Sequence, residues 1–348
     1  MADVTDIYTI LNKRNILKQM SDSDFEAFVP AFADLLHAYT FERLLADYNK
    51  NLPEVSKDWN NLKKKKVEQN NISSTSTIGT NIIKRYMPHI YEVRNYKNVC
   101  LSQIWTLENV EKVLRVNRKT HSTPYVSEII RQLGFMAGTS KVTIYRPLLT
   151  KRIVQYFNAK NVLDVCVGWG GRMLGSVCND GVNYTGIEPY SKTFNGLRDI
   201  KRDLHLSDDR VKLYNDTAEN VLPTLEPCYD LALTSPPYYN LEIYSDENTQ
   251  SHHYGTYEQW VEKFLRPVVN GVLDKLVAGG KSCWSVKNFK TDGVYNLYND
   301  VVKIHEERGW KQIDEEFFVG NCVRPGLKDK DANSKKSKEI TYVFVRSS

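Results

Sequence analysis

No apolar run in this chain reaches the eighteen or so residues needed to span a bilayer. The N-terminus also has neither the basic n-region nor the apolar h-region of a secretory leader. The expectation is therefore an intracellular, soluble protein, in the cytoplasm or beside the nucleoid or nucleus. Cysteine is sparse. The six thiols, Cys100, Cys166, Cys178, Cys228, Cys283 and Cys322, are far apart, and none forms a C-x-x-C pair with histidines at zinc-ligand spacing. They read as buried free thiols. His252-His253 lies in a polar stretch without a carboxylate or thiol at ligand distance along the chain, so no metal is assigned. There is no internal repeat.

Charge is nearly balanced over the whole chain, at +5 in 348 residues, but not along it. Residues 1–58 carry six Lys/Arg and ten Asp/Glu, residues 59–150 carry fifteen and five, and residues 151–348 carry twenty-six and twenty-seven. These breaks suggest a helical acidic region at 1–58, a basic and mostly helical nucleic-acid-binding region at 59–140, and a third domain at 141–348. In the first region Phe25, Phe28, Val29, Phe32, Leu35, Leu36 and Tyr39 recur at helical spacing. Such a stripe packs either on its own protein or on a partner. Ser23 and Glu26 resemble a capping box, and Pro30 should sit in a first turn or mark a break. From Trp59 to Thr80 the chain turns polar, with Lys63, Lys64, Lys65 and Lys66 followed by Asn70, Asn71, Ser73, Ser74, Thr75 and Ser76, which reads as a linker. Beyond it, basic residues alternate with Tyr86, Tyr91, Tyr96 and Trp105.

After Tyr145 short β-branched runs alternate with amphipathic stretches, the pattern of a doubly wound α/β sheet. Strands are predicted at 161–166, 183–187, 211–214, 230–234, 281–287, about 311–319 and 339–345. Helices are predicted at 147–157, 170–178, 190–204, 217–222, 257–277 and 294–307. The last two strands lack an intervening helix, which implies an antiparallel hairpin at the sheet edge.

Two stretches of this region carry chemistry. Val162 to Val167 form an apolar run entering Gly168-Trp169-Gly170-Gly171, where small residues let the backbone approach a nucleotide-like ligand. A tight structural turn would look the same. Glu188 ends the next apolar run about twenty residues on, where a carboxylate accepts hydrogen bonds from ribose hydroxyls, and Asp216 follows the run after that, placed for an adenine amino group. Either alone is equally a helix cap. The second stretch is Leu231-Ala232-Leu233-Thr234-Ser235-Pro236-Pro237-Tyr238. Successive prolines withhold N–H donors, so the carbonyls around them can point into a pocket. An amine conjugated with an aromatic ring is a poor nucleophile. Accepting its two hydrogens at the Ser235 hydroxyl oxygen and the Pro236 carbonyl favours the charge that builds on nitrogen during methyl transfer. Tyr238 can stack on the ring and hold it in line.

These motifs resemble those of the S-adenosylmethionine-dependent amino-methyltransferases of DNA, the N4-cytosine and N6-adenine enzymes, over the C-terminal 200 or so residues. The resemblance implies a class I methyltransferase fold, a Rossmann-like seven-stranded sheet with an antiparallel final hairpin, preceded by a mainly helical N-terminal region. It implies S-adenosyl-L-methionine as cofactor. Asp164, Gly168, Gly170, Glu188 and Asp216 match the cofactor positions, with Trp169 and Ser235 expected beside the cofactor; Tyr145-Arg146-Pro147 match a segment that closes over the methionine end, and Ser235, Pro236, Pro237 and Tyr238 match the catalytic motif. The string Thr234 to Tyr244 is more specific than the tetrapeptide. Trp284 to Asn288 after Gly279-Gly280, and Glu339 to Val345, are similar to the family's fifth strand and closing hairpin. The chain departs from the usual pattern at Val165 and Trp169.

Only about 65 residues separate the two motifs, too few for a recognition domain between them. A base inside a duplex cannot reach a recessed pocket, so it must be flipped out or already unpaired. The loop after the motif, with Tyr239, Asn240, Glu242 and Tyr244 and running to about Tyr257, is expected to order around it. Phosphate contacts are expected from Lys63, Lys64, Lys65, Lys66, Lys84, Arg85, Arg115, Arg118 and Lys119, with Tyr239 and Asn240 nearer the base. A solvated basic face is the competing reading for the lysine run. A second basic stretch, Arg324, Lys328, Lys330, Lys335, Lys336 and Lys338, precedes the final strand. Methylation of DNA, with N4 of cytosine ahead of N6 of adenine because Ser leads the motif, is the first expectation. The alternatives are an RNA base amine, protein glutamine, or a nucleic-acid-binding subunit that keeps the fold as scaffold.

Overall fold

The computed structural model describes residues 4–67, 76–139, 142–321 and 338–347. Cys322 and the basic stretch Arg324 to Lys336 lie outside the described residues, as do Asn70 to Thr75 of the polar run. The chain packs as two compact units, one of residues 1–52 and 88–143, the other of residues 53–87 and 144–348. The segment 59–140, read above as one basic region, is thus shared between them.

The first unit is helical. Its longest element, Asp22–Tyr39, buries Phe25, Val29, Phe32 and Leu36 with Val110, Val113 and Leu114 of Leu107–Thr120 and Ile129 and Leu133 of Val126–Ala137. The apolar stripe is therefore this unit's own core. Two details differ from expectation. The N-cap is Ser21, whose hydroxyl accepts from the Asp24 amide, and not Ser23. Pro30 lies inside the helix without ending it: the bond it cannot make would run to the carbonyl of Glu26, and both residues are exposed, so that carbonyl is not shut away from solvent.

The second unit is built on a seven-stranded sheet: β1 (Asn161–Asp164), β2 (Asn183–Ile187), β3 (Val211–Tyr214), β4 (Tyr229–Thr234), β5 (Leu276–Val286), β6 (Trp310–Asn321) and β7 (Lys338–Arg346). The spatial order is β6-β7-β5-β4-β1-β2-β3. β3, β2, β1, β4 and β5 run parallel, and β7 is antiparallel to both β5 and β6. This is the Rossmann-like sheet with an antiparallel closing hairpin that the sequence leads one to expect, with most strands within a residue or two of prediction. The long helix expected at 257–277 is instead Tyr257–Trp260, a π-helical turn Val261–Leu265, and Arg266–Lys275. Pro267 has no N–H for the turn before it, and the register widens there.

The stretch from Trp59, expected as linker, is also partly helical. Val55–Lys64 buries Trp59 and Leu62. Its C-terminal carbonyls are capped by a buried lysine of the helix Pro147–Tyr156: the Lys151 ammonium donates to the carbonyls of Leu62, Lys63 and Lys65 at 2.9, 2.8 and 2.8 Å. Residues 53–67 are thereby part of the sheet-bearing unit. No described helix is long and apolar enough to cross a membrane.

Candidate active site at the switch point of the sheet

Sheet order reverses between β1 and β4, and in open α/β sheets such a reversal leaves a crevice beyond the carboxyl ends of the strands. β1 leads into the glycine turn and β4 into Ser-Pro-Pro-Tyr. The two strands pair in parallel, Val162 with Leu231 and Leu163 with Ala232. At their ends the Thr234 hydroxyl donates to Asp164 Oδ1 at 2.9 Å. Both motifs thus start from adjacent strand ends at the switch point of the sheet.

Asp164 is fully buried and faces no open space. Five donors surround its carboxylate: Arg172 Nε at 2.8 Å and Nη2 at 3.2 Å, the Tyr184 hydroxyl at 2.8 Å, the Thr234 hydroxyl, and the Cys166 amide at 3.3 Å. The carboxylate expected at the cofactor is thus occupied by donors of this chain. Burial works against the charge on Arg172, but the Asp164 carboxylate outweighs it and holds the guanidinium above its ordinary range. Arg172 also donates to the carbonyls of Cys166 and Val167, which fixes the backbone of the turn from within. Gly168 and Gly170 adopt φ of 56° and 88°, in the left-handed region that favours glycine. A Cβ on Gly171 would come within 1.9 Å of the Tyr145 carbonyl oxygen, so that glycine is required by the close crossing of the Tyr145-Arg146-Pro147 segment.

Glu188 stands beside the turn, as expected. Its carboxylate accepts from the Gly168 amide at 2.8 Å and the Tyr190 amide at 2.9 Å, one per oxygen. One acceptor site on each oxygen remains. Burial raises its pKa to about 7, against the lowering effect of the two amides. Asp216, at the end of β3, is exposed and accepts from the Thr217 amide and the Asn220 side chain. Arg146 is half-buried, and burial lowers its pKa. Trp169 packs against Tyr244, ring centroids 5.7 Å apart, joining the turn to the loop after Ser-Pro-Pro-Tyr.

On the β4 side the Ser235 hydroxyl donates to the Ser285 carbonyl at 3.1 Å, so its hydrogen is committed there and its lone pairs are left to accept. Ser285 in turn meets Thr341, and Thr341 meets the Tyr145 hydroxyl, at 2.6 and 2.8 Å. Pro236 and Tyr238 are buried, and Tyr238 stacks on Phe289 with centroids 5.5 Å apart. Tyr239 takes φ of 47°, unusual for a side-chain-bearing residue, and turns the chain away.

Several expected nucleic-acid contacts are engaged elsewhere. Tyr239 is buried among Tyr257, Trp260 and Tyr295. The Asn240 side chain donates to Asp292 and accepts from Thr291, both in the turn between Phe289–Lys290 and Val294–Tyr295, which ties its amide to that turn. Arg115 pairs with Glu26 and Glu111, and Arg118 with Asp22 and the Met20 carbonyl, while its guanidinium lies over Phe25. Arg85 donates to the Pro53 carbonyl and Lys84 is half-buried. Lys63, Lys64, Lys65, Lys66 and Lys119 are exposed. The thiols are less uniform than expected, with Cys228 exposed and Cys100 and Cys166 half-buried. Among the described residues no group of three or more His, Cys, Asp or Glu could hold a metal ion.

Sequence reading missed Arg172, Tyr184 and Lys151. The spacing of an Arg eight residues after Asp164, in the first turn beyond the glycines, was the available signal for the first.

No family model matches the chain, and no curated protein does. Among solved structures it is similar to a Clostridium thermocellum protein described as an rRNA methylase, at 14% identity over 59% of this chain and 98% of that one with a TM-score of 0.39. It is similar also to TrmN from Thermus thermophilus, at 16% over 57% and 48% with 0.38, and to a methyltransferase from Pyrococcus furiosus, at 17% over 60% and 85% with 0.39. Likeness at these scores carries no argument about activity.

Proposed function

We propose that the chain transfers a methyl group from S-adenosyl-L-methionine to the exocyclic amine of a nucleic-acid base, DNA first, with N4 of cytosine ahead of N6 of adenine. The observation that carries this reading is that the glycine turn and Ser-Pro-Pro-Tyr leave adjacent strand ends at the switch point of the sheet, coupled through Thr234 and Asp164. The cofactor supplies an electrophilic methyl group. Glu188, with one open acceptor on each oxygen, suits a pair of vicinal hydroxyls, and Asp216 is free enough at the end of β3 to meet an adenine. Arg146 and Tyr145 lie on the segment crossing the turn, in keeping with a role at the methionine end.

Ser235 and the Pro236 carbonyl then accept hydrogen bonds from the amine. The orientation of the Ser235 hydroxyl favours this, because its own hydrogen is already given to Ser285. Tyr238, braced by Phe289, offers a ring face to the base. Lys63 to Lys66 are the phosphate contacts this reading retains, since they are exposed and belong to the same unit as the crevice. Incubation with tritiated cofactor and DNA, RNA or protein, followed by mass spectrometry of the labelled nucleoside or residue, tests the assignment. Label in N4-methylcytosine or N6-methyladenine of DNA is the expected result. Label in RNA moves the substrate, and label in protein removes the nucleic-acid reading.

A further inference from the structure

The segment after Ser-Pro-Pro-Tyr leaves the end of β4 and meets the ends of three further strands in turn. Tyr244 packs on Trp169, in the turn after β1, with ring centroids 5.7 Å apart. The Glu247 carboxylate accepts from the Ser191 amide at 3.2 Å, at the start of the helix Ser191–Asp203 that follows β2. The Tyr254 hydroxyl donates to Glu219 Oε1 at 3.0 Å, in the turn Ala218–Val221 that follows β3. Spatial order in this part of the sheet is β4-β1-β2-β3. Chain order and spatial order agree, so residues 241–256 run as a strap over the carboxyl ends of β1, β2 and β3. The strap is also tied at its root, where the Ser251 hydroxyl donates to the Tyr239 carbonyl at 3.0 Å and the Tyr239 hydroxyl to the Gly255 carbonyl at 3.2 Å.

Two carboxylates are closed off in this arrangement. Glu188 keeps 8% of its surface exposed, and Tyr244 lies near it: burial first, then the charges of Glu242 and Glu188, raise the Tyr244 phenol above its ordinary range. A ligand that is to hydrogen-bond Glu188 must displace what covers it. Glu219 Oε2 is shut away from solvent and meets no donor among the described residues. A carboxylate oxygen without a donor away from water is costly, and that cost offsets part of the bond that Oε1 accepts from Tyr254. We propose that residues 241–256 are a gate on the cofactor side of the sheet, latched by Tyr254 on Glu219, which lifts to admit S-adenosyl-L-methionine and closes again over it. This rests on the methyltransferase reading above and deepens it by naming what controls entry to that site. Lifting the strap uncovers Glu188 for the ribose hydroxyls and opens Glu219 Oε2 to water.

The test is stopped-flow binding of S-adenosyl-L-homocysteine to the full chain, followed by tryptophan fluorescence because Trp169 touches the strap. Tyr254→Phe removes the latching hydroxyl and keeps the ring that packs beside Phe264. Circular dichroism and thermal melts check its fold. Association and dissociation rates should both rise about tenfold, the effect of one lost hydrogen bond to a carboxylate. Affinity should stay within about twofold of the parent, since the latch is made with and without ligand. Glu247→Gln, which removes a charge from a helix N-terminus, should raise both rates less, about two- to threefold. A rise in dissociation alone would overturn the gate, because a fixed wall that only touches bound ligand behaves that way. Parental rates in both variants would overturn it as well. Either result leaves the methyltransferase reading intact, since the parent binds. If calorimetry shows that the parent binds neither S-adenosyl-L-homocysteine nor S-adenosyl-L-methionine, gate and reading both fail.

Discussion

The two units use ionic groups in opposite ways. In the sheet-bearing unit Asp164 and Arg172 pair out of reach of water and fix the turn that opens the crevice. In the helical unit Arg115 and Arg118 pair with Glu26 and Asp22 on a surface, joining a basic helix to an acidic one. That second arrangement also explains why a chain with a segment of fifteen basic and five acidic residues presents no basic domain. The helical unit combines thirteen Lys/Arg with twelve Asp/Glu, because residues 88–143 fold onto the acidic residues 1–52. Net charge per segment predicts a field only if the segment folds alone. Here charge cancels within a unit, and the basic excess at 53–87, seven Lys/Arg against three Asp/Glu, stays with the sheet.

The comparison breaks first at its buried end. Arg172→Met leaves the Asp164 carboxylate without its main partner in a site closed to water, and should destabilise the sheet-bearing unit by about 3–5 kcal/mol. Adding Asp164→Leu should recover much of that loss of stability while still losing methyl transfer, because the carbonyls of Cys166 and Val167 are no longer held. Urea unfolding of both variants, with transfer assays on whatever remains folded, gives the double-mutant cycle. If the single Arg172 variant were as stable as the parent, the organising role of the pair would be wrong.

Ser235→Ala comes next. Losing one preorganised acceptor should lower the turnover rate about 10²–10³-fold. Cofactor affinity should change little, since Ser235 is tied to Ser285 and the turn is built by Arg172. Single-turnover transfer and calorimetric cofactor titration separate the two effects. Equal losses in both would mean that Ser235 shapes the cofactor site instead.

What the chain disclosed of itself follows the same division. β2 and β3 fall on their predicted bounds, 183–187 and 211–214, because each is a short apolar run closed by polar residues, a pattern readable in one dimension. Glu188 was legible for the same reason, as the first polar residue after such a run. Asn240 was not. Its position after the motif suggested a ligand contact, but its partners are Thr291 and Asp292, about fifty residues away, and no spacing rule connects them. The Trp59 to Lys64 helix was hidden by its polarity, since its C-terminus is capped by Lys151 from far along the chain. Periodicity reveals elements, whereas which donor meets which acceptor is a property of the fold.

Glu188 lies between the extremes, buried but bonded only to amides, and its effect should depend on pH. Its pKa is raised from 4.5 to about 7, so between those values the folded chain keeps a proton that the unfolded chain has lost. The stability this contributes is present below the unfolded value and disappears as pH rises through about 7. Hydroxyl donors need the ionised form, so cofactor affinity should move the other way and fall as pH drops below 7, by up to about tenfold per unit. Glu188→Gln should flatten both profiles. Calorimetry and thermal melts between about pH 5 and 8 would show it, and a parent affinity indifferent to pH would remove Glu188 from the hydroxyl contact.

The smallest effect is expected at the exposed end. Arg115→Ala removes a partner from Glu26 and Glu111 where water replaces it, and should cost less than about 1 kcal/mol. It should also leave the salt slope of oligonucleotide binding as it was, because a guanidinium already paired with carboxylates releases few counterions. Replacing Lys63 to Lys66 by Gln should instead lower that slope by up to about four, one for each exposed ammonium that neutralises a phosphate. Surface charges close in type thus separate by what they already touch. A steep loss of slope in Arg115→Ala would mean that its ion pairs open on binding, and the helical unit would then carry a phosphate contact that its balanced charge conceals.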